Sequence, residues 1–445
     1  MGKDNGKKIA FLTLGCKLNY AETSTWERGF VQAGLEVVPW SEAADIYLVN
    51  TCSVTAMADA KSRNLVRKVL RINPSALVVV TGCSAQLRRA DYESIPGVAR
   101  VFGCDEKSNV VRKTLAMLGD GRSEPAMTDG CPLSFPAEHP SSFPAERSGD
   151  RESPVFGAWS SGERTRSFLK VQDGCNNFCA YCTVPYARGL SRNLPVADCV
   201  AAAREIAALG VKEIVLTGVN TGDFGRSTRE SFLDLLKALE GVDGIERYRI
   251  SSIEPNLLTE EIVDWIASGT KFQPHFHIPL QTGCDELLSR MGRKYTTGFF
   301  ASRIDYIRNA MERPGGPLVF FGIDVMVGLP GETPEMFCST YDFLASRVRP
   351  SFIHVFPYSR RPGTPAASMP GQVSESVKKE RVAALEELSS RLHSEFVEAN
   401  RGVHERALME SSDRGGFMEG YTGNYIRIRR PWDPSLCGQI IDVTI

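Results

Sequence analysis

The sequence lacks an apolar run of the about 18 residues that a membrane-spanning helix needs. Its longest candidate, Leu318 to Leu329, is short and interrupted by Asp324, so no membrane role is expected. A signal peptide is not expected either. Met1-Gly2-Lys3-Asp4-Asn5-Gly6-Lys7-Lys8 is polar and leads straight into a strand-like run, which points to the cytoplasm. There is little charge of either sign in excess. A net charge of −1 excludes a uniformly basic nucleic-acid coat but leaves room for local basic patches. Cysteine is too scarce for a disulfide scaffold, yet 12 in 445 residues are too many to ignore. A thiolate-bound metal centre in a reducing compartment fits that usage better. What remains is ordinary globular composition, long enough for about two to four domains.

Strands and helices alternate from residue 9 to 105. Ile9–Leu14, Ile46–Asn50 and Leu77–Thr81 read as buried strands, and Glu22–Ala33 and Val54–Ile72 as helices. That order predicts a doubly wound parallel sheet over residues 1–118. Residues 119–166 change character. Pro, Ser, Gly and Glu dominate and Ser-Phe-Pro-Ala-Glu occurs at 134–138 and 142–146, so a linker or insertion is expected, with Cys131 incidental. Alternation resumes over 167–373. Six strand candidates (168–171, 213–217, 247–252, 275–280, 318–327 and 352–358) with helices between them predict a partial, TIM-like (β/α)6 barrel. Residues 374–402 read as a charged connecting helix. Residues 403–445 read as a small β-barrel, OB-like, with Gly420 to Asn424 as a turn.

The sharpest chemical signal is Cys175-Asn176-Asn177-Phe178-Cys179-Ala180-Tyr181-Cys182. Three thiolates in one loop after the first barrel strand can hold three irons of a cubane and leave the fourth without a protein ligand. A structural zinc would want a fourth ligand, and none lies nearby in sequence. A second pattern is dispersed. Cys16, Cys52 and Cys83 each follow an expected parallel strand, where such sheets bind ligands. They can meet in space as a second open-iron cluster, or they can be three buried free cysteines.

The Cys175 loop matches the radical S-adenosylmethionine (SAM) superfamily. With Cys16, Cys52 and Cys83, and with Leu216–Asn220, Ser251–Pro255, His277–Gly283, Asp324–Thr333 and Gly420–Tyr425, nearly the whole chain resembles the methylthiotransferase family. The residues Thr13-Leu14-Gly15-Cys16-Lys17-Leu18-Asn19 look most like the branch that acts on N6-threonylcarbamoyladenosine at tRNA position 37. The resemblance implies two [4Fe-4S] clusters, on Cys16, Cys52 and Cys83 and on Cys175, Cys179 and Cys182, the latter set catalytic. It also implies SAM, with Tyr181 near the adenine, and with Asn220, Glu254 and Gln281 as candidate cofactor contacts. Asp223, His277 and Arg293 also fall near strand ends, with no role assigned. Cys104, Cys199, Cys284, Cys338 and Cys437 are expected to be structural thiols, joining neither set.

The implied reaction replaces the C2 hydrogen of a modified adenine with a methylthio group. Ordinary general bases, with pKa values near 7, cannot remove that hydrogen, whereas a carbon radical can attack there. The protein would supply placement and shielding, with the two cysteine sets facing each other across the barrel mouth. Partners implied are the tRNA anticodon loop, an electron donor and a sulfur source. For RNA, Tyr421, Tyr425, Arg427, Arg429 and Arg430 in a TRAM-like C-terminal unit offer stacking and phosphate contacts. Lys61, Arg63, Arg67, Lys68 and Arg71 offer a second strip. Competing readings are methylthiolation of isopentenyladenosine or of a ribosomal-protein aspartate, and a non-catalytic iron–sulfur RNA-binding protein.

Overall fold

The computed structural model describes residues 6–118, 155–161 and 165–445. The Ser-Phe-Pro-Ala-Glu repeat and Cys131 lie outside them. Two compact units emerge: Met1–Phe156 with Tyr186–Arg188, and Gly157–Pro185 with Gly189–Ile445.

In the first unit, β1 (Lys8–Thr13), β2 (Glu36–Val37), β3 (Ile46–Thr51), β4 (Leu77–Gly82) and β5 (Val98–Val101) form one parallel sheet in the order β2-β1-β3-β4-β5. β2 and β5 add to the three strands read from sequence. Side chains alternate between the faces. Ala10, Leu12, Tyr47, Val49, Val78 and Val80 pack with Val66 and Val69 of the helix Ala56–Ile72. Ile9, Ile46, Leu48 and Val79 pack on the other face with Trp26 and Phe30 of the helix Lys17–Gln32 and with Val110 and Val111. Helices on both faces explain why β3 is buried at every residue. In this strand order the topological switch falls between β1 and β3, and ligands bind at the carboxyl ends there.

The second unit contains the barrel. Ser167–Lys170, Glu213–Thr217 and Arg247–Ile250 pair in parallel. His275–His277, Phe320–Val327 and Phe352–Pro357 do the same. Parallel bridges Tyr248↔Phe272 and Ser252↔His277 join the two sheets into one open series. The fourth strand is shorter than expected because Pro279 has no N–H for the ladder. Ser231, Thr259, Thr296 and Thr333 cap the intervening helices through side-chain oxygens.

Three expectations need adjusting. Ala158–Trp159, at the end of the expected linker, is a short strand antiparallel to the first barrel strand. The helix Glu375–Ala399 does more than connect, because it packs along the last barrel strand. Its Ser389 Oγ accepts from Ile353 N at 2.9 Å, and its Lys378 Nζ donates to the Tyr358 carbonyl at 2.9 Å. The C-terminal unit is an antiparallel half-barrel of four strands, ordered 427–431, 417–422, 404–409, 440–444. Gly420 to Thr422 belong to a strand there, and the turn comes at Gly423 to Ile426. Arg249, paired with the buried Glu213 at 3.0 Å, ties this sheet to the barrel by donating to the carbonyls of Gly423 (2.7 Å) and Thr422 (2.8 Å).

Candidate metal centres and cofactor contacts

The barrel loop follows Gly174, whose φ of 73° and lack of a side chain are both required: a Cβ there would lie 2.0 Å from the Leu190 carbonyl oxygen. Asn177 N–H points at Cys175 Sγ (3.5 Å), Val184 N–H at Cys182 Sγ (3.4 Å), and Arg293 Nη1 at Cys179 Sγ (3.2 Å). Donors aimed at each sulfur suit thiolates. Burial, more than any neighbour, pushes the free thiols of Cys175 and Cys182 up to about 11 and about 12. A bound metal would reverse that by holding the thiolate form outright.

The second set is also brought together. Cys16 precedes the helix Lys17–Gln32 after β1, Cys52 follows β3, and Cys83 follows β4. Cys16 and Cys52 thus flank the topological switch. Gly15 has φ 100°, and a Cβ on it would lie 2.7 Å from both Cys52 Cβ and Cys52 Sγ. Asn19 stitches the two loops by donating to the Leu14 carbonyl (2.8 Å) and the Thr51 carbonyl (3.0 Å). Burial is the main cause pushing the Cys52 thiol up to about 11, and the nearby Cys83 and Cys16 add to it.

Do the donors fit one ion or a cluster? Among the described residues, the three potential ligands whose donor atoms all lie within 4.8 Å of one another are His277, Asp324 and His354. Neither cysteine set closes that tightly. A single zinc with bonds of about 2.3 Å would draw its sulfurs closer. Three thiols spread more widely, as in each set, fit a cubane better.

Asn220 is buried, and both polar atoms of its amide lack a hydrogen-bond partner within the protein. Orphaned amides of this kind call for a ligand. Gln281 sits at φ 76°, rare for a residue with a side chain, between the carbonyl of Asp324 and the amide of Met326. Glu254 is already engaged: Arg293 Nη2 donates to it at 2.8 Å, and Asn177 Nδ2 at 2.8 Å. Through that one oxygen, Oε1, it braces the cysteine loop. Tyr181 packs with Ala180, Leu287 and Met291, and its hydroxyl lies 3.4 Å from Arg293 Nη1.

The RNA-facing set divides. Tyr421 and Tyr425 stack on each other at 4.9 Å, and Tyr425 packs against His275 and Phe320 of the barrel. Arg166 and Arg249 cover the same rings. Both tyrosines are half-buried and take part in internal packing. Arg427 and Arg429 alternate with Ile428 and Arg430, so they project from opposite faces of one strand. All three arginines are exposed. Arg429 lies over the exposed Phe417 ring at 4.1 Å, and Arg427 pairs with Glu419 at 3.4 Å. On the first unit, Lys61, Arg67, Lys68 and Arg71 are exposed, Arg63 is half-buried, and Lys68 covers Trp40.

Several residues were not anticipated. Arg188 Nε donates to Cys83 Sγ at 3.2 Å. The same guanidinium reaches Glu22 (3.1 Å) and Asn19 (2.6 Å), and Lys107 pairs with Glu22 at 2.5 Å. The only sequence signal was Glu22 itself, an acid four residues before Trp26 on the buried helix face. Cys104, expected to be a structural thiol, packs directly on Cys83. His277 and His354 stack at 4.9 Å, and His277 bonds Asp324 at 2.7 Å.

The comparisons agree with this geometry. Residues 169–344 match the Radical SAM superfamily, and residues 8–103 match the uncharacterized protein family UPF0004. The fold resembles the radical S-adenosylmethionine methyltransferase TsrM from Kitasatospora setae. The TM-score is 0.56 and the identity 17%, over 81% of this chain and 74% of that one. The barrel and its cysteine loop thus define a radical SAM protein. Threonylcarbamoyladenosine tRNA methylthiotransferase MtaB from Bacillus subtilis is 38% identical, over 98% of this chain and 93% of that protein. Its namesake in Aquifex aeolicus is 36% identical, over 95% and 96%. The tRNA-2-methylthio-N(6)-dimethylallyladenosine synthase of Pelotomaculum thermopropionicum is 32% identical, over 99% and 95%. The chain belongs to the radical SAM methylthiotransferase family.

Proposed function

We propose that this protein adds a methylthio group to C2 of N6-threonylcarbamoyladenosine at position 37 of tRNA, beside the anticodon. The observation that carries the reading is the pair of three-cysteine sets, each at the carboxyl ends of parallel strands and each too open for a single ion. When bound, the clusters and SAM supply an electron, a carbon radical, a sulfur atom and a methyl group, the reagents an unactivated aromatic carbon demands.

Cys175, Cys179 and Cys182 hold one cluster, and Cys16, Cys52 and Cys83 the other. Arg293 and Glu254 fix the barrel loop from behind. The unpaired amide of Asn220 and the strained Gln281 position SAM at the strand ends. Exposed Arg427, Arg429 and Arg430, with Phe417, let residues 403–445 grip RNA as a TRAM-like unit. The helix strip Lys61 to Arg71 adds phosphate contacts. An anticodon-loop base is unpaired, so it can enter the barrel without the cost of opening a duplex. An electron donor and a sulfur source complete the reaction, in the cytoplasm where tRNA is modified.

The test is a competition. The reconstituted protein, SAM and a reductant are given equal amounts of anticodon stem-loops carrying threonylcarbamoyl- or dimethylallyladenosine. Preferential conversion of the first supports the reading. Preferential conversion of the second would transfer the protein to the other substrate.

A further inference from the structure

We propose that Arg188 and Cys104 are hydrogen-bond donors to the Cys83 sulfur and raise the reduction potential of the cluster that Cys16, Cys52 and Cys83 hold. The inference rests on that cluster assignment.

The geometry singles out Cys83. Its Sγ accepts from Arg188 Nε at 3.2 Å. Cys104 packs on it in one small buried group with Ala187 and Leu87. That packing places the Cys104 thiol to donate to the Cys83 sulfur. Cys104 is itself fixed, because its backbone N–H donates to Gln86 Oε1 at 2.9 Å. A Cβ on Gly103 before it would lie 2.5 Å from the same Gln86 oxygen, so a side chain there would displace Gln86.

Arg188 cannot swing away. Asn19 and Glu22 hold its two terminal nitrogens, and Lys107 holds the other side of Glu22. Glu22 is 0% exposed, Lys107 1% and Arg188 4%. Two cations and one anion leave a net positive charge beside the sulfur, in a place where water screens little. Hydrogen bonds to a cluster's sulfurs and its local charge are the levers that set its potential. Reduction adds one negative charge to the cluster. Donors that draw density from Cys83, and the net cation behind them, stabilise that added charge. The direction is therefore upward.

Cys104 is a donor and not a fourth ligand. A thiol bonded to Cys83 sulfur stands nearer to it than a sulfur on a neighbouring iron of the same cube would.

The test uses the full chain with Cys175, Cys179 and Cys182 all replaced by Ala, so that only the second site carries iron. After anaerobic reconstitution, a reductive titration followed by electron paramagnetic resonance gives its midpoint potential. C104A should lower the midpoint at unchanged iron content. C104S, which keeps a donor, should restore most of the difference. R188Q should lower it too, and if R188Q does not fold, the C104A and C104S pair decides. An unchanged midpoint in C104A at full iron would overturn the proposal. Loss of iron in C104A would make Cys104 a ligand and overturn it as well. An iron-free parent chain would instead remove the cluster assignment, and the proposal with it.

Discussion

Arg293 donates to Cys179 Sγ at 3.2 Å with one terminal nitrogen and to Glu254 at 2.8 Å with the other. One buried guanidinium thus couples a cluster sulfur to the acid that also holds Asn177 in the cysteine loop. Breaking one partner of a buried ion pair costs about 3–5 kcal/mol. R293A should therefore lower thermal stability and strip iron from the barrel site first. E254Q, which can still accept from Asn177 and Arg293, should be milder on both counts. Thermal melts with iron analysis check this, and equal losses in the two variants would contradict it.

The two cysteine sets should separate by function. C175A, C179A or C182A should remove about half of the iron and abolish SAM cleavage after reduction. C16A, C52A or C83A should remove the other half, leave some SAM cleavage, and stop methylthio product. Chromatography of deoxyadenosine and of modified nucleosides reads both. Normal SAM cleavage in C175A would refute the barrel assignment.

Glu213 gives the barrel a pH dependence. Burial alone would raise its carboxyl, but Arg249, Arg166 and Arg247 hold it below the usual carboxylate range. A depressed acid contributes stability that is present above its unfolded value of about 4.3 and is lost as pH falls through the lower folded value. Because Arg249 also holds the Gly423 and Thr422 carbonyls, loss of the pair should loosen the C-terminal half-barrel. Limited proteolysis between pH 5 and pH 3 should show cleavage in residues 403–445 rising as pH falls. E213Q should show it already at pH 7, and no difference between E213Q and the parent would sink the account.

The arginines of 427–430 should act through phosphate. Each Arg→Ala change at 427, 429 or 430 that removes one contact to single-stranded RNA should reduce the salt slope of binding by about 0.7. Y425A should instead lower stability, because its ring packs on His275 and Phe320. Binding titrations at several salt concentrations, beside thermal melts, distinguish the two. A Y425A variant with full stability and lost RNA binding would restore the tyrosine as an RNA contact.

Much of the fold was legible because its signals are local. Buried runs marked β1, β3 and β4, and strand candidates with helices between them marked the barrel. The Cys175 loop was legible for the same reason, with all three thiols inside eight consecutive positions. Cys16, Cys52 and Cys83 were legible only through topology, as residues that follow parallel strands. Arg188 and Cys104 were not legible. Their contacts with Cys83 join residues far apart in sequence, and no spacing rule encodes them. The packing of Tyr421 and Tyr425 was not legible, because composition alone does not say which face of a strand or turn meets the core. The His277, Asp324 and His354 group comes from three neighbouring strands and carries no shared motif.

The most direct test of the central claim is mass spectrometry of tRNA nucleosides from a host deficient in methylthiolation, with and without this gene. The account predicts new 2-methylthio-N6-threonylcarbamoyladenosine with the gene, and none with its C175A variant. No new methylthio nucleoside, from a chain shown to carry iron and cleave SAM, would contradict it.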